Sequence, residues 1–344
     1  MEFMLGLEAR TARNTWTVAV VLSALWLLFT AREAIFVFII AIFLAYIITP
    51  LVDFVDRRSR GKLPRWAALV IVYILLIGFL VTAVMTIGSR VANQAGTLAS
   101  RIPQLLQDRS ATLPLPSWLE EFRPAIETQV RTQVGTLADY TLPVLQSAGK
   151  GLLAGLGNLL YVVLVPILAF FFLLDAEGLR GNLVEIFHAP AHQKIIGRVL
   201  EEVHVLLGHY IRALCGLASS AFVFYYLFFE ITNVPYALLL ALVAGFLEFI
   251  PVAGPLTGST LATVVAASSG YPHWGWMIIF FLVYRLFQDY VIQPYLMSSG
   301  VELHPVAVLF GVLAGEQIAG VPGMLLSVPV MAIFRIFWRL AVRG

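Results

Sequence analysis

Residues 301–329, VELHPVAVLFGVLAGEQIAGVPGMLLSVP, form an almost wholly apolar stretch that glycines and prolines interrupt repeatedly. The interruptions are Pro305, Gly311, Gly315, Gly320, Pro322, Gly323 and Pro329, and Glu316 and Gln317 lie at the centre of the stretch. A backbone that breaks in hydrocarbon must find its hydrogen-bond partners in the protein or in a watery cavity. Short apolar segments broken by Gly and Pro are typical of the binding region of transporters. The stretch therefore predicts a membrane permease.

The composition agrees with a membrane protein. The chain has 344 residues, of which 60% are hydrophobic and only 12% are charged, and its mean hydropathy is +0.89. Soluble proteins carry about 25% charged residues. The net charge of +2 is too small to indicate nucleic-acid binding, and no basic stripe with interleaved aromatic residues is present. We therefore expect the lipid bilayer as a partner and no nucleic acid.

The sequence offers no motif for catalysis or for a bound cofactor. It has no GxxxxGK(S/T) motif for ATP phosphates, no GxSxG nucleophile elbow and no HExxH zinc motif. Cys215 is the only cysteine, so an intrachain disulfide and a cysteine zinc cluster are excluded. We expect a protein that is not an enzyme and that holds neither a cofactor nor a metal.

The apolar runs predict an all-α polytopic membrane protein of about eight transmembrane helices, with broken or re-entrant segments in its C-terminal half. The runs are 16–30, 34–52, 66–89, 151–174, 205–229, 235–250, 256–268, 275–296 and the stretch quoted above. The first run can also be read as a signal peptide. No clear small-x-small cleavage site follows it, and a second apolar run begins at Ala34. A hairpin of two spans is therefore favoured.

Three regions are expected along the chain. Residues 1–89 form a three-span N-terminal membrane bundle, and residues 151–344 form a C-terminal membrane bundle. Residues 90–150 are polar enough to lie outside the membrane and carry apolar residues at helical spacing. A packed helical cap is favoured there over a substrate-gathering domain. The C-terminal bundle contains a cytoplasmic amphipathic segment, 175–204, and broken helices within 235–335.

Basic residues predict the topology, because short loops rich in Lys and Arg stay in the cytoplasm. The densest cluster, between the second and third spans, comprises Arg57, Arg58, Arg60, Lys62 and Arg65. The chain closes with Arg335, Arg339 and Arg343. We expect both termini in the cytoplasm and residues 100–140 on the opposite side.

Two apolar runs are too short to cross a membrane alone. Residues 256–268 form 13 positions and residues 305–318 form 14. At 1.5 Å per residue each reaches only about 20 Å into a hydrocarbon core roughly 30 Å thick. Either they are half-helices that meet at a break, or they are limbs of re-entrant hairpins, and the sequence leaves both open.

A polar stripe on the 275–296 run supplies the first candidate site. Its members recur at three- and four-residue spacing and are Arg285, Gln288, Asp289 and Gln293. Ionisable residues inside a membrane are costly and usually face the bundle interior or a watery path. Either Arg285 and Asp289 neutralise each other as an i, i+4 pair, or the stripe binds polar cargo or a coupling ion. Both readings can hold together.

Helix breaks supply the second candidate site. Glu248 ends an apolar run just before the Ile250-Pro251 break, where a carboxylate beside freed carbonyls suits a cation or a donor-rich ligand. An exposed charge at a helix end is the alternative. Glu316 and Gln317 are either the wet tip of a loop or part of the path. The expected hinge or break positions are Pro251, Gly254, Pro255, Pro294, Gly315, Gly320, Pro322 and Gly323.

Three blocks carry a family resemblance. EFIPVAGP at 248–255, QDYVIQPYL at 288–296 and ELHPVAVLFGVLAGEQIAGVPGMLLSVP at 302–329 resemble the hallmark blocks of the autoinducer-2 exporter family of bacterial permeases. The resemblance implies a multi-pass bacterial inner-membrane protein that forms a homo-oligomer and carries a small, polar, furanone-derived quorum signal. Asp289 stands where the family often has Glu.

These observations favour a secondary permease that exports a small polar metabolite, which by resemblance is an autoinducer-2-type signal. A cation (sodium)/proton antiporter is the alternative within transport, so a proton or sodium ion is a candidate coupling partner. A non-transporting membrane scaffold is the alternative from another class. Broken helices and charges within the membrane favour transport, because a scaffold needs neither.

Overall fold

The computed structural model describes residues 9–59, 63–107, 124, 128, 159–296 and 304–343, and every regular element in these residues is helical. The helices are α1 (Ala9–Thr30), α2 (Arg32–Ser59), α3 (Arg65–Ala83), α4 (Ser89–Gln107), α5 (Leu159–Leu174), α6 (Ala176–Glu185), α7 (Pro190–Ile231), α8 (Ala237–Leu247), α9 (Ala253–Ser268), α10 (Trp274–Phe287), α11 (Gln293–Leu296) and α12 (Pro305–Arg343). Turns of π-helix, Val84–Gly88 and Gln288–Ile292, join α3 to α4 and α10 to α11.

The expected all-α polytopic fold is confirmed. Five helical stretches in the described residues are long and apolar enough to cross a membrane. They are Arg32–Ser59, Arg65–Ser100, Pro190–Ile231, Trp274–Leu296 and Pro305–Arg339. The last of them folds back on itself, because glycines in its first half contact residues in its second half. The count of about eight spans remains a prediction.

The N-terminal helices pack around small and β-branched residues. Helices α2, α3 and α5 share a core of Ala41, Ala45, Ile48, Val52, Ala68, Leu69, Val72, Ala169 and Leu173. Tyr73 of α3 donates its hydroxyl to the Pro166 carbonyl at 2.9 Å, and Arg65 donates from Nε to the Leu173 carbonyl at 3.0 Å. By these contacts α5 lies with the N-terminal helices, although its run was grouped with the C-terminal bundle. The expected boundary at residue 150 lies outside the described residues.

Helix α4 covers part of the C-terminal bundle. It continues α3 through the π-helical turn, and its Ala95 and Leu98 are buried in a cluster formed mainly by α7, α8, α9 and α10. Gln94 accepts a hydrogen bond through Oε1 from the Leu239 backbone N–H at 3.0 Å, which satisfies a free donor in the first turn of α8. These contacts suit the packed cap expected here. Most of residues 108–150 lie outside the described residues.

Helices α8 and α9 form a helical hairpin, which we name hairpin 1 (Ala237–Ser268). A Cβ added to Gly258 would lie 3.1 Å from the Ala244 Cα, and a Cβ added to Gly254 would overlap the Leu247 carbonyl. Both pairs are centred near Pro251, so the two helices run antiparallel from a tip at that residue. Glycine lets the two backbones approach this closely.

The tip of hairpin 1 contains a strained turn. Ala253 donates its backbone N–H to the Pro251 carbonyl at 2.7 Å, across Val252. Val252 has φ 65° and ψ −56°, which is the rare positive-φ form of the γ-turn. A β-branched residue with positive φ is a genuine outlier, and such strain is concentrated at functional sites.

Helix α12 is a second helical hairpin, which we name hairpin 2 (Pro305–Arg343). Its helical conformation is interrupted at Ala319 and at Gly320, where φ is 62° and ψ is −140°. A Cβ on Gly311 would lie 3.5 Å from the Ser327 Cβ, and a Cβ on Gly315 would overlap the Gly323 carbonyl. The arms therefore run antiparallel about residue 319. Both short runs, 256–268 and 305–318, are thus limbs of helical hairpins, and their re-entrant placement in the membrane remains a prediction.

The two hairpins start at opposite ends of an antiparallel helix pair. Phe228 of α7 stacks on Phe280 of α10 with ring centroids 3.8 Å apart, and a Cβ added to Gly216 of α7 would lie 2.8 Å from Leu296 Cδ1 at the end of α11. Hairpin 1 follows the C-terminal end of α7, and hairpin 2 follows the C-terminal end of α10. Val328 of hairpin 2 lies in a cluster on α7, and Phe249 at the tip of hairpin 1 packs against the same cluster. The hairpins therefore converge on α7 from opposite directions.

Candidate functional site

Glu248 is a buried carboxylate at the tip of hairpin 1. Its exposed fraction is 5%, and the other buried polar side chains in the described residues are Gln288 and Ser327. Helix α8 ends one residue earlier, and the strained turn at Val252 follows. The structure therefore does not place Glu248 as an exposed charge at a helix end. It is enclosed within the bundle.

Two neutral donors hold the Glu248 carboxylate. Tyr225 of α7 donates its hydroxyl to Oε1 at 3.1 Å, and Gln288 donates from Nε2 to Oε2 at 3.0 Å. Neither donor carries a charge, although Arg285 is close enough to act on Glu248 electrostatically. We name Glu248, Tyr225 and Gln288 the Glu248 cluster. The arrangement keeps a carboxylate available for a proton, a cation or a donor-rich ligand.

The Glu248 cluster has an unused acceptor. Gln288 is 2% exposed, and its Oε1 is buried without a hydrogen-bond partner. An unsatisfied buried polar atom costs about 1–3 kcal/mol, so such atoms call for a physical explanation. Gln288 opens the π-helical turn, a feature that is frequent at functional sites. The amide therefore offers one more oxygen beside the Glu248 carboxylate.

Aromatic side chains enclose the cluster. The Tyr225 ring lies edge-on to Tyr284 at a centroid distance of 4.9 Å and to Phe281 at 5.2 Å. The Tyr284 hydroxyl is 3.1 Å from Ser220 Oγ, which adds a second polar contact between α7 and α10. The aromatic wall lowers the local dielectric, which strengthens the hydrogen bonds to Glu248.

The residues of the predicted polar stripe lie in different environments. Arg285 donates from Nε to Asp289 Oδ2 at 3.0 Å, and their side chains are 43% and 38% exposed. The expected i, i+4 ion pair is therefore formed, and it lies outside the buried cluster. Gln288 of the stripe bonds to Glu248. Gln293 is half-buried at the start of α11.

The structure places the predicted residues of hairpin 2 apart from the buried carboxylate. Glu316 and Gln317 are exposed, in the arm just before the break at Ala319 and Gly320. Pro322 and Gly323 follow the break, and Gly315 crosses Gly323. Whether Glu316 and Gln317 line a path remains a prediction.

The break positions of the C-terminal bundle differ in their packing. Pro251 lies in the tip of hairpin 1, and Gly254 is buried against the Leu247 carbonyl. Pro255 lies in the first turn of α9. Pro294 lies within the short helix α11 and not at a hairpin tip. A Cβ added to Gly320 would meet no atom within 4 Å, so the positive φ alone disfavours a larger residue there.

Tyr225 and Val252 are site residues that the sequence did not single out. Tyr225 lies in an apolar, aromatic-rich run, where its ring is expected to pack in a core. Its hydroxyl was the available signal, because a buried tyrosine hydroxyl usually finds a hydrogen-bond partner. Val252 carried no signal, since β-branched residues are not expected at positive φ. Among the described residues there is no group of three or more His, Cys, Asp or Glu side chains that could hold a metal ion.

Comparison with known proteins identifies the family. The profile of the AI-2E family transporter matches residues 16–343, which include both hairpins and the Glu248 cluster. The chain belongs to the AI-2E transporter family. The family assignment agrees with the resemblance of the three sequence blocks, and it supports a transport function for a multi-pass membrane protein.

Several named relatives align with most of the chain. The AI-2 transport protein TqsA of Escherichia coli is 25% identical over 316 residues, covering 89% of this chain and 86% of TqsA. YrrI of Bacillus subtilis, provisionally named a transport protein, is 24% identical over 303 residues, covering 87% and 84%. PerM of E. coli, provisionally named a permease, is 24% identical over 312 residues, covering 86% and 84%. These names support transport and leave the substrate of this AI-2E family member open.

Proposed function

We propose that this AI-2E family member is a secondary permease that exports a small polar metabolite across the bacterial inner membrane. The Glu248 cluster forms the polar part of its path. The observation that carries the proposal is a buried carboxylate at a hairpin tip, held by two neutral donors beside an unpaired amide oxygen. A purely structural tip would be more stable with an apolar residue there.

The chemistry of the cluster suits a ligand rich in hydroxyl groups. Glu248 and Gln288 Oε1 are acceptors, and the Tyr225 hydroxyl can both donate and accept. A small polyhydroxylated molecule would donate to the acceptors and replace the bonds that Tyr225 and Gln288 now make to Glu248. An autoinducer-2-type signal has this chemistry, and the name of the relative TqsA supports that substrate class.

The opposed hairpins support a path through the C-terminal bundle. The 11 residues of α8 extend about 16 Å. The 14 residues 305–318 extend about 21 Å. Together these lengths exceed a core of about 30 Å, so hairpins that enter from opposite faces overlap near the middle. The contact of Phe249 with the cluster that contains Val328 agrees with such an overlap.

The positive-inside rule supports an orientation. Arg335 and Arg339, at the end of hairpin 2, favour the cytoplasmic face, so hairpin 2 enters from the cytoplasm and hairpin 1 from outside. Both termini are then cytoplasmic. The side chains of α1 from residue 13 to residue 30 are all exposed, so lipids or the other subunits of the proposed homo-oligomer would cover this helix.

One observation also favours the alternative, a cation/proton antiporter. The two carboxylate oxygens of Glu248 and the amide oxygen of Gln288 form a set of oxygen acceptors. Oxygen ligands are those that hard cations prefer. A sodium ion or a proton bound at Glu248 could be the transported species or could couple to export of a metabolite.

Reconstitution tests the proposal. Purified protein in liposomes is supplied with an outward gradient of a furanone diol, a sodium gradient or a pH gradient, each alone and in pairs. The permease proposal expects furanone flux above that of empty liposomes, with or without dependence on a second gradient. Sodium–proton exchange without furanone flux would favour the antiporter. The absence of flux of all three species would contradict both.

A further inference from the structure

The residues of the two hairpins correspond at a constant sequence offset, which we call the register. Hairpin 1 begins at Ala237 and hairpin 2 begins at Pro305, 68 positions later. The positive-φ residues of the tips, Val252 and Gly320, are separated by the same 68 positions. The pairing centres agree as well, because the arms of hairpin 1 cross about residue 251 and those of hairpin 2 about residue 319.

The helices that precede the two hairpins correspond at the same offset of 68 positions. Residues 206–228 of α7 correspond to residues 274–296, which are α10, the π-helical turn and α11. These two segments run antiparallel, because Phe228 stacks on Phe280 while Gly216, earlier in α7, lies beside Leu296 at the end of α11. A helix followed by a hairpin thus occurs twice in opposite orientation. This is an inverted repeat of 206–268 on 274–336, and such repeats are a common basis of alternating access.

Glu316 is the counterpart of Glu248 in this register. Each glutamate precedes an isoleucine by two positions, Ile250 in hairpin 1 and Ile318 in hairpin 2. Their environments differ sharply, since Glu248 is buried at 5% exposure and Glu316 is exposed. Two equivalent carboxylates in unequal environments are expected when an inverted repeat is captured in one of two asymmetric states.

We propose that the AI-2E transport unit alternates between two states in which the hairpins exchange roles. In the second state Glu316 is the buried carboxylate and Glu248 is exposed. Glu316 therefore forms a second binding site for the same class of ligand, a polar metabolite rich in donors or a cation, reached from the opposite face. The inference rests on the proposed transport function, which it deepens.

The register also identifies the side chains that would hold Glu316. The partners of Glu248 are Tyr225 and Gln288, and their counterparts are Gln293 and Ser220. Both counterparts are polar and lie on the same two helical segments as the present partners. Ser220 Oγ is now 3.1 Å from the Tyr284 hydroxyl, a neutral contact that it can exchange for Glu316.

Cysteine cross-linking tests the second state without a transport assay. Full-length protein in membranes, with Cys215→Ala as background, carries Ser220→Cys with Glu316→Cys, or Ser220→Cys with Ile318→Cys as the control. Ile318 lies near the same tip but about 200° around the helix from Glu316. The proposal expects a bifunctional thiol reagent of short span to link the 220–316 pair and not the 220–318 pair. Equal yields for both pairs, or no link at 220–316, would overturn it.

A transport readout separates this inference from the function on which it rests. Glu248→Gln and Glu316→Gln are each expected to reduce flux roughly tenfold or more, because each removes a charged acceptor from one of the two states. Loss of flux in Glu248→Gln alone, together with no 220–316 link, would overturn the repeat and leave the permease intact. A 220–316 link with unchanged flux in Glu248→Gln would instead overturn the proposed site and leave the repeat.

Discussion

Gln288 donates a hydrogen bond from Nε2 to Glu248 Oε2 at 3.0 Å, across 40 positions of sequence. The bond joins the π-helical turn after α10 to the tip of hairpin 1. Any movement of hairpin 1 away from α10 must break this hydrogen bond. The other amide atom, Gln288 Oε1, is buried beside the bond and has no hydrogen-bond partner. The pair therefore links the position of the hairpin to the occupancy and charge of the Glu248 site.

Removal of the tyrosine hydroxyl is expected to loosen the site. Tyr225→Phe deletes the donor to Glu248 Oε1 and retains the ring that packs against Tyr284 and Phe281. A lost hydrogen bond to a charged group costs about 1.5–3 kcal/mol, so the variant is expected to unfold at a lower temperature and to transport more slowly. Thermal unfolding in detergent and flux in liposomes measure the two effects. Tyr226→Phe, one residue along the same helix, is the control, and an equal effect of both variants would contradict this role of Tyr225.

The crossing glycines of hairpin 2 are expected to be essential for folding. Gly315→Ala and Gly323→Ala each place a methyl group against the backbone of the opposite arm. The arms must then separate, which we expect to lower the unfolding temperature strongly. Gly78→Ala in α3 is the control, because a methyl group there meets no atom within 4 Å and a helical alanine adds about 0.5–1 kcal/mol of stability. Unchanged stability in Gly315→Ala would contradict the antiparallel hairpin.

The two tip glycines are expected to respond differently to added bulk. Gly254→Val collides with the Leu247 carbonyl, so this variant is expected to fail in folding and not only in movement. Gly320→Ala meets open space but must adopt φ 62°, which costs a non-glycine residue about 1–3 kcal/mol. We expect that variant to reach the membrane at reduced stability. Membrane yield and thermal unfolding distinguish the two, and normal folding of Gly254→Val would contradict the close packing of the tip.

The opposed hairpins predict opposite labelling of two loop positions. Asn233, before hairpin 1, and His304, before hairpin 2, are both exposed and follow helices that run antiparallel. With Cys215→Ala as background, Asn233→Cys is expected to react with an impermeant thiol reagent added outside the cell. His304→Cys is expected to react only when the reagent reaches the cytoplasmic face. Labelling of both positions from the same side would contradict the inverted arrangement.

The Arg285–Asp289 ion pair is expected to contribute to stability by neutralisation. Asp289→Asn leaves Arg285 without its partner, and Arg285→Gln in the same chain is expected to recover part of the loss. Unfolding temperatures of the two single variants and the double variant complete the cycle. Additive losses would contradict the pairing. A changed sodium or pH dependence of flux in Asp289→Asn would show that the residue also acts in coupling, as the sequence suggested.

The lengths of the short helices and the positions of their breaks could be predicted from the chain, but the pairing of these helices into hairpins could not. Runs of 13 and 14 apolar residues cannot cross a membrane, and Pro251 and Gly320 mark where they turn. Glu248 was identified because it precedes a break. Its bonds to Tyr225 and Gln288 could not be foreseen, since they depend on how three helices pack. The ion pair of Arg285 and Asp289 could be foreseen, because it lies within one helix.

The central claim, that the Glu248 carboxylate lies in the transport path, is tested most directly by measuring flux of the proposed substrate class through the Glu248→Gln variant in liposomes. The new amide can still accept from Tyr225, and the Gln288 amide can rotate so that its unpaired Oε1 accepts in turn, so the fold is expected to survive. Glu230→Gln, at the exposed C-terminal end of α7, is the matched control. The account predicts that Glu248→Gln retains the unfolding temperature of the natural protein within a few degrees and loses flux roughly tenfold or more, while Glu230→Gln transports normally. Normal flux through well-folded Glu248→Gln would contradict it.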